Sequence, residues 1–134
     1  MTPAQLSTIH TAAFTHSRGW SADEFAALLD SAHCTLICEP DGFALVRTVA
    51  GEAELLTIAV SPGRQGQGAG RKLMHRWLEA TPADEAFLEV GADNTAAIAL
   101  YASCGFAQVA RRAAYYPRAN GPDVDAIVMR RPLP

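Results

Sequence analysis

The chain has 134 residues, 49% of them hydrophobic and 19% charged, a size and balance that suit one globular domain able to bury about two-thirds of its unfolded surface. Residues 1–134 are therefore read as a single domain. A net charge of −3 without a dense Lys/Arg stripe argues against nucleic acid as a direct ligand, and no apolar run is long enough to make the chain a membrane protein. The start, Met1 to Ser7, has neither a basic head nor an apolar signal core, so a cytoplasmic protein is expected. Cys34, Cys38 and Cys104 show no zinc spacing with the four histidines; no metal is expected, and the thiols read as free.

Leu6, Ile9, His10 and Ala13 recur at helical spacing behind Pro3, which suits a first turn, and predict a helix from Pro3 to about Phe14. Ser17 to Trp20 breaks it. Ser21 and Glu24 then have capping-box spacing, and Phe25, Leu28 and Leu29 form the apolar face of a second helix. His33 to Glu39 reads as a strand, Pro40-Asp41-Gly42 as a tight turn and Phe43 to Val49 as the hairpin partner. Gly51-Glu52 turns into a third strand, whose Leu55, Leu56, Ile58 and Val60 mark it as buried.

A glycine-rich stretch, Val60 to Lys72, follows and opens a helix carrying Leu73, Trp77 and Leu78. Ala86 to Val90 is a buried strand interrupted by one carboxylate, Glu89. Gly91 to Asn94 is a loop, and the alanine-rich helix from Asn94 to Ser103 stops at Gly105. Phe106 to Ala114 and Ala126 to Met129 are the last strands, joined through Tyr115-Tyr116-Pro117 and a polar loop. The order α-α-β-β-β-α-β-α-β-β describes an α/β fold, a mixed sheet with about four helices on its faces.

The glycine stretch organises the rest. Gly66, Gly68 and Gly70 at alternate positions let the backbone turn sharply and point several N–H groups at one spot, and a helix start behind them favours an anion such as phosphate. The nucleotide loop pattern fails because Leu73 follows Lys72, and the dinucleotide fingerprint fails because Arg71 stands where its third glycine should be. By itself the stretch also reads as a surface turn feeding a helix. What remains is Gln65, two residues, Gly68, one residue, Gly70, placed between strand and helix. This resembles the pyrophosphate loop of the GNAT N-acetyltransferases. A second segment, Asn94-Thr-Ala-Ala-Ile-Ala-Leu-Tyr-Ala-Ser-Cys-Gly-Phe106, is similar to the Asn-x-x-Ala-x-x-Leu-Tyr-x-x-x-Gly-Phe stretch of the same family, in the same order. Leu88-Glu89-Val90, Arg112-x-x-Tyr-Tyr-Pro and Asp125 to Met129 resemble, more narrowly, its bacterial ribosomal-protein-alanine branch.

The resemblance implies acetyl-CoA as co-substrate, held by backbone from Gly66, Gln67, Gly68, Ala69, Gly70 and Arg71, with Ile58, Ala59 and Val60 pairing with the pantetheine arm and Asn94 contacting the cofactor. Asn94 reads equally well as a plain helix cap. Glu89 has apolar neighbours and an unpaired carboxylate would be costly to bury, so it should border a cleft; its family position implies a general base, and the residues alone also permit a solvated edge glutamate. Tyr101 shares a helix face with Asn94 and Ile98. Alone it reads as core, and the resemblance makes it the acid that protonates the leaving thiolate. Tyr115 and Tyr116, in the loop between the last strands, are expected at the acceptor entrance, or as packing beneath it. His10, His16, His33 and His75 have no convergent partners in sequence and are assigned no chemistry.

The implied acceptor is a protein N-terminal α-amine, that of a ribosomal protein for example; a small-molecule amine, or a non-catalytic acyl-CoA-binding module, remains open. In the family a strand normally precedes the first helix. Here only Met1 and Thr2 are available, so that strand is expected to be absent or vestigial, leaving the 33–39 edge to be covered by another segment or by a partner, such as a second copy.

Overall fold

A computed structural model describes residues 1–14 and 18–134; the Ser17 end of the expected helix break, and His16, lie outside the described residues. Helix α1 (Pro3–Ala13) and helix α2 (Ala22–Leu29) precede strands β1 (Cys34–Glu39), β2 (Gly42–Val49) and β3 (Glu52–Val60). A short 3-10 turn (Pro62–Arg64) leads into α3 (Ala69–Ala80), then β4 (Glu85–Gly91), α4 (Thr95–Ser103), β5 (Ala107–Tyr116) and β6 (Val124–Pro132). The expected order of elements holds throughout, and the capping signal at Ser21 and Glu24 is met, with a second box at the start of α1 that had no reading in the sequence. Thr2 and Gln5 form one capping box and Ser21 and Glu24 the other, each pairing a hydroxyl with the N3 backbone and the N3 side chain with the cap. One correction falls at the C-terminal end: Tyr115 and Tyr116 lie on β5 and not in a loop. Ala114 takes a positive φ of 48°, and the Asp125 carboxylate accepts its N–H at 2.9 Å, so the strand passes through an irregularity and continues.

The six strands form one sheet in the order β1-β2-β3-β4-β6-β5. All neighbours are antiparallel except β3 and β4. Among the described residues no strand precedes α1, and β1 stands at the sheet edge with β2 as its neighbour. Arg76 of α3 reaches that edge, donating to the Cys38 carbonyl and to Glu39. No helix among the described residues is long and apolar enough to cross a membrane.

Helices cover both faces, which is why β2 is buried on each side. Ala44 and Val46 join the larger core with Leu73, Met74, Trp77, Leu88, Tyr101 and Phe106, while Phe43 and Leu45 pack with Leu6 and Phe25 beneath α1 and α2. Strand β3 does not keep one alternation. Leu45 pairs with Thr57 and Val46 with Leu55, leaving Leu56 as the extra residue of a bulge. Before the bulge Ala53 and Leu55 face the α3 core; after it Ala59 faces the α1–α2 core, and Ile58 and Val60 turn to the α3 side. A one-residue shift has exchanged the two faces of the strand.

Candidate active site

The bulge lies where β3 leaves β4. These parallel strands pair only from Glu52 to Glu54 against Glu85 to Phe87, and beyond that they diverge. The gap opens into a cleft of about 760 Å³, walled by Leu55 to Val60 on one side and Leu88 to Gly91 on the other. Its lining includes Gln65, Gly66, Ala69 and Gly70 beside the glycine loop, Asn94 and Tyr101 from α4 and its cap, and His10, Phe14, Trp20, Glu89, Tyr116 and Arg118.

The loop end is built for an anion. Gln65 Nε2 donates to the Val60 carbonyl at 3.0 Å and pins the loop to the strand it leaves. Gly66 and Gly68 take positive φ of 78° and 87°, which side chains rarely adopt. Gly68 caps α3 without any side-chain hydrogen bond, and the first helical bond runs from Lys72 N–H to the Gly68 carbonyl at 3.0 Å. The N–H groups of Ala69, Gly70 and Arg71 are therefore left for a ligand, at the positive end of a 12-residue helix. A pyrophosphate fits this donor set. Gln67 and Gly68 on the loop, and Arg71 in the first turn of α3, lie outside the cleft lining, whereas Ile58, Ala59, Val60, Gly66, Ala69, Gly70 and Asn94 all belong to it. Asn94 does cap α4, its Oδ1 accepting from Ala97 N–H at 3.2 Å.

Glu89 borders the cleft as expected, and strand alternation explains it. Ala86, Leu88 and Val90 point into the α3 core, so Glu89 points to the opposite face, and the α1–α2 cluster contains no residue of β4 that would close it. Its carboxylate is not unpaired, however: Arg112 Nη2 lies 3.2 Å from Oε1. Tyr101 is both core and cleft wall. It is 7% exposed and packs edge-on to Phe106, and burial, with lesser contributions from Cys104 and Tyr116, raises its pKa, so the phenol holds its proton. Tyr116 lines the cleft half-buried, its pKa raised by burial and then by Glu89. Tyr115 is exposed and outside the lining; its ring meets Tyr116 edge-on at 5.2 Å.

Two features had no reading in the sequence. Arg118 makes two hydrogen bonds to Asp93, at 2.9 and 3.0 Å, across Gly91, where a Cβ would meet the guanidinium at 2.9 Å. His10 is buried, with Nδ1 accepting from Trp20 N–H at 3.0 Å and Nε2 paired with Thr57 Oγ1 at 3.0 Å. The first bond places the ring proton on Nε2, so His10 donates to Thr57. Stacked against Phe14 and Trp20, it has a pKa lowered by burial to about 4. The available signal was its place on the apolar face of α1, four residues after Leu6.

Residues 4–106 match the acetyltransferase (GNAT) family. The chain belongs to this family. It is 38% identical over 125 residues to the Escherichia coli (strain K12) ribosomal protein bS18-alanine N-acetyltransferase, covering 88% of this chain and 84% of that one. It is 46% identical over 87 residues to the N-alpha-acetyltransferase RimI of Mycobacterium tuberculosis, covering 65% and 53% of the two chains. The crystal structure of the ribosomal-protein-S18-alanine N-acetyltransferase from Escherichia coli superposes with a TM-score of 0.85 at 35% identity, covering 98% of this chain and 86% of that one. The GNAT fold inferred from the two sequence segments is thus the fold observed, and the protein is an N-acetyltransferase.

Proposed function

We propose that residues 1–134 act as one catalytic domain that moves acetyl from acetyl-CoA to the N-terminal α-amine of a protein, a ribosomal protein by the names of its relatives. The observation that carries this reading is the diverging β3–β4 pair, which joins an anion-binding glycine loop and a carboxylate, Glu89, in one cleft. Acetyl-CoA supplies the activated thioester. Backbone N–H groups from Gly66 to Arg71 hold the pyrophosphate, the free edge of Ile58 to Val60 aligns the pantetheine arm and offers an N–H to the thioester oxygen, and Asn94 flanks the same channel. Metal chemistry is not part of this proposal.

An α-amine has a pKa of about 8, so roughly a tenth is neutral at pH 7, and Glu89 takes the remaining proton directly or through water. Attack is direct, with no covalent enzyme intermediate. Tyr101, kept protonated by burial, donates to the sulfur as it leaves. Tyr115 and Tyr116 shape the entrance, and the chemistry places the protein in the cytoplasm, where acetyl-CoA and new ribosomal proteins meet.

Mass spectrometry of protein N-termini from cells with and without the enzyme tests the acceptor. Loss of acetylation at one or a few N-termini supports the reading, and an unchanged set points to a small-molecule amine. Glu89→Gln should lower turnover on the order of 10²-fold at saturating acetyl-CoA; full turnover from pH 6 to 9 removes Glu89 as base. Acetyl-CoA binding without transfer to any amine in a broad panel would favour a binding module.

A further inference from the structure

Arg112 is the cation that the proposed chemistry leaves unused. The other arginines around β5 and β6 have different partners: Arg111 pairs with Asp125, Arg118 with Asp93, and Arg130 with Glu52 and Glu85, while Arg131 donates to the Cys104 and Pro132 carbonyls. Arg112 instead pairs with Glu89. The register explains how it reaches. Arg112 on β5 stands opposite Ala126 on β6, which stands opposite Gly91 on β4. Glu89 lies two residues from Gly91 on the same face, so Arg112 and Glu89 stand on one side of the sheet.

A guanidinium stays charged and is not itself acetylated, so at Glu89 it supplies the positive charge that an acceptor ammonium would also supply. In the same conformation its Cζ lies 5.3 Å from the centroid of the Tyr115 ring, a cation–π distance, so Tyr115 can keep the guanidinium when the contact to Glu89 is given up. The Arg112 and Glu89 side chains are 56% and 24% exposed, so their pairing is weak enough to exchange.

We propose that Arg112 is a specificity-determining residue that stands in for the acceptor's ammonium at Glu89, yields that carboxylate to a cationic amine while Tyr115 keeps its guanidinium, and returns once the amine has become an uncharged amide. A neutral group cannot compensate Glu89, so the exchange admits ammonium acceptors and gives no advantage to an acetylated one. The inference rests on Glu89 facing the acceptor, as proposed above.

The test uses the full chain loaded with CoA, a hexapeptide with a free N-terminal alanine, its N-acetylated twin, and calorimetry. Arg112→Gln should tighten the free-amine peptide roughly two- to fivefold, the scale of one exposed ion pair, and leave the twin unchanged. Arg112→Lys should behave as wild type, because one charge and not a forked contact is at issue. Arg112→Met provides a second neutral side chain should the Gln variant fold poorly. On a Glu89→Gln background the effect should vanish, giving a coupling between the two positions. Weaker binding of the free-amine peptide by both neutral variants, or equal changes for both peptides, overturns the proposal. If Glu89→Gln keeps full turnover, the base assignment fails by itself, and the coupling still reports on Arg112.

Discussion

His10 makes the stability of this fold depend on pH in a calculable way. Its pKa is lowered from 6.5 to about 4 because the ring is buried among Phe14, Trp20 and Phe25, with Glu24 pulling weakly upward and Arg18 downward. The unfolded chain therefore binds a proton on His10 at a pH where the folded chain does not. Stability is complete above pH 6.5 and is lost as pH falls toward 4, with a ceiling of about 3 kcal/mol, since each pH unit of that window is worth about 1.4 kcal/mol. Between pH 7 and pH 5 the expected loss is about 2 kcal/mol. Urea melts of wild type and His10→Gln at the two pH values isolate it. Every other ionisable group is common to the two proteins and cancels in the comparison, and Gln does not titrate while its amide can still reach Thr57. Wild type should lose about 2 kcal/mol more than the variant over this window, even if the variant starts lower. Equal losses would mean that His10 is protonated in the folded state and that its Nδ1 does not accept from Trp20.

Gly68→Val should leave the fold intact, because a Cβ there meets nothing within 4 Å, yet strain at φ 87° and loss of close approach should raise the acetyl-CoA Kd about tenfold or more by calorimetry. An unchanged Kd would place the pyrophosphate elsewhere. Tyr101→Phe removes one hydroxyl from a packed site and should lower kcat on the order of 10²-fold with acetyl-CoA affinity unchanged; an unaltered kcat would return Tyr101 to the core alone. Trp77→Ala, at a fully buried position on α3, should cost about 3–5 kcal/mol in a denaturant melt, and a loss below about 1 kcal/mol would contradict the packing described.

Local signals were legible because they are local. The capping box at Ser21 and Glu24, the stop at Gly105 and the glycine loop each rest on a few neighbouring residues, and each was found where the sequence put it. The order of elements followed from them. Pairing across the chain was not legible. Nothing near Leu56 announces a bulge, since Leu55, Leu56 and Ile58 suit either face of a doubly buried strand. Tyr115 and Tyr116 read as loop because Pro117 follows them; Asp125, nine residues beyond Tyr116, carries β5 through the Ala114 kink. Glu89 was legible as a cleft residue from its apolar neighbours, whereas its partner Arg112 lies two strands away. His10 looked inert for the same reason: Thr57 and Trp20 are distant in sequence or offer only backbone.

The bulge ties these observations together. Had β3 kept its alternation, Thr57 and Ala59 would face α3 and Ile58 would face α1, so His10 would have no hydroxyl to donate to and the α1–α2 core would lose Ala59. The exchange of faces occurs in the same segment where β3 parts from β4. A bulge increases local twist and bends its strand, and a strand bent away from its parallel neighbour leaves backbone groups on the facing edges without a ladder. Buried backbone of that kind is costly unless something pairs with it. An extended ligand with amide groups, lying between the strands, supplies what the sheet gave up. The discontinuity therefore serves three ends from one extra residue: it opens the cleft, it turns Thr57 toward His10, whose Nδ1 accepts from the Trp20 N–H, and it leaves Glu89 on an uncovered face of β4.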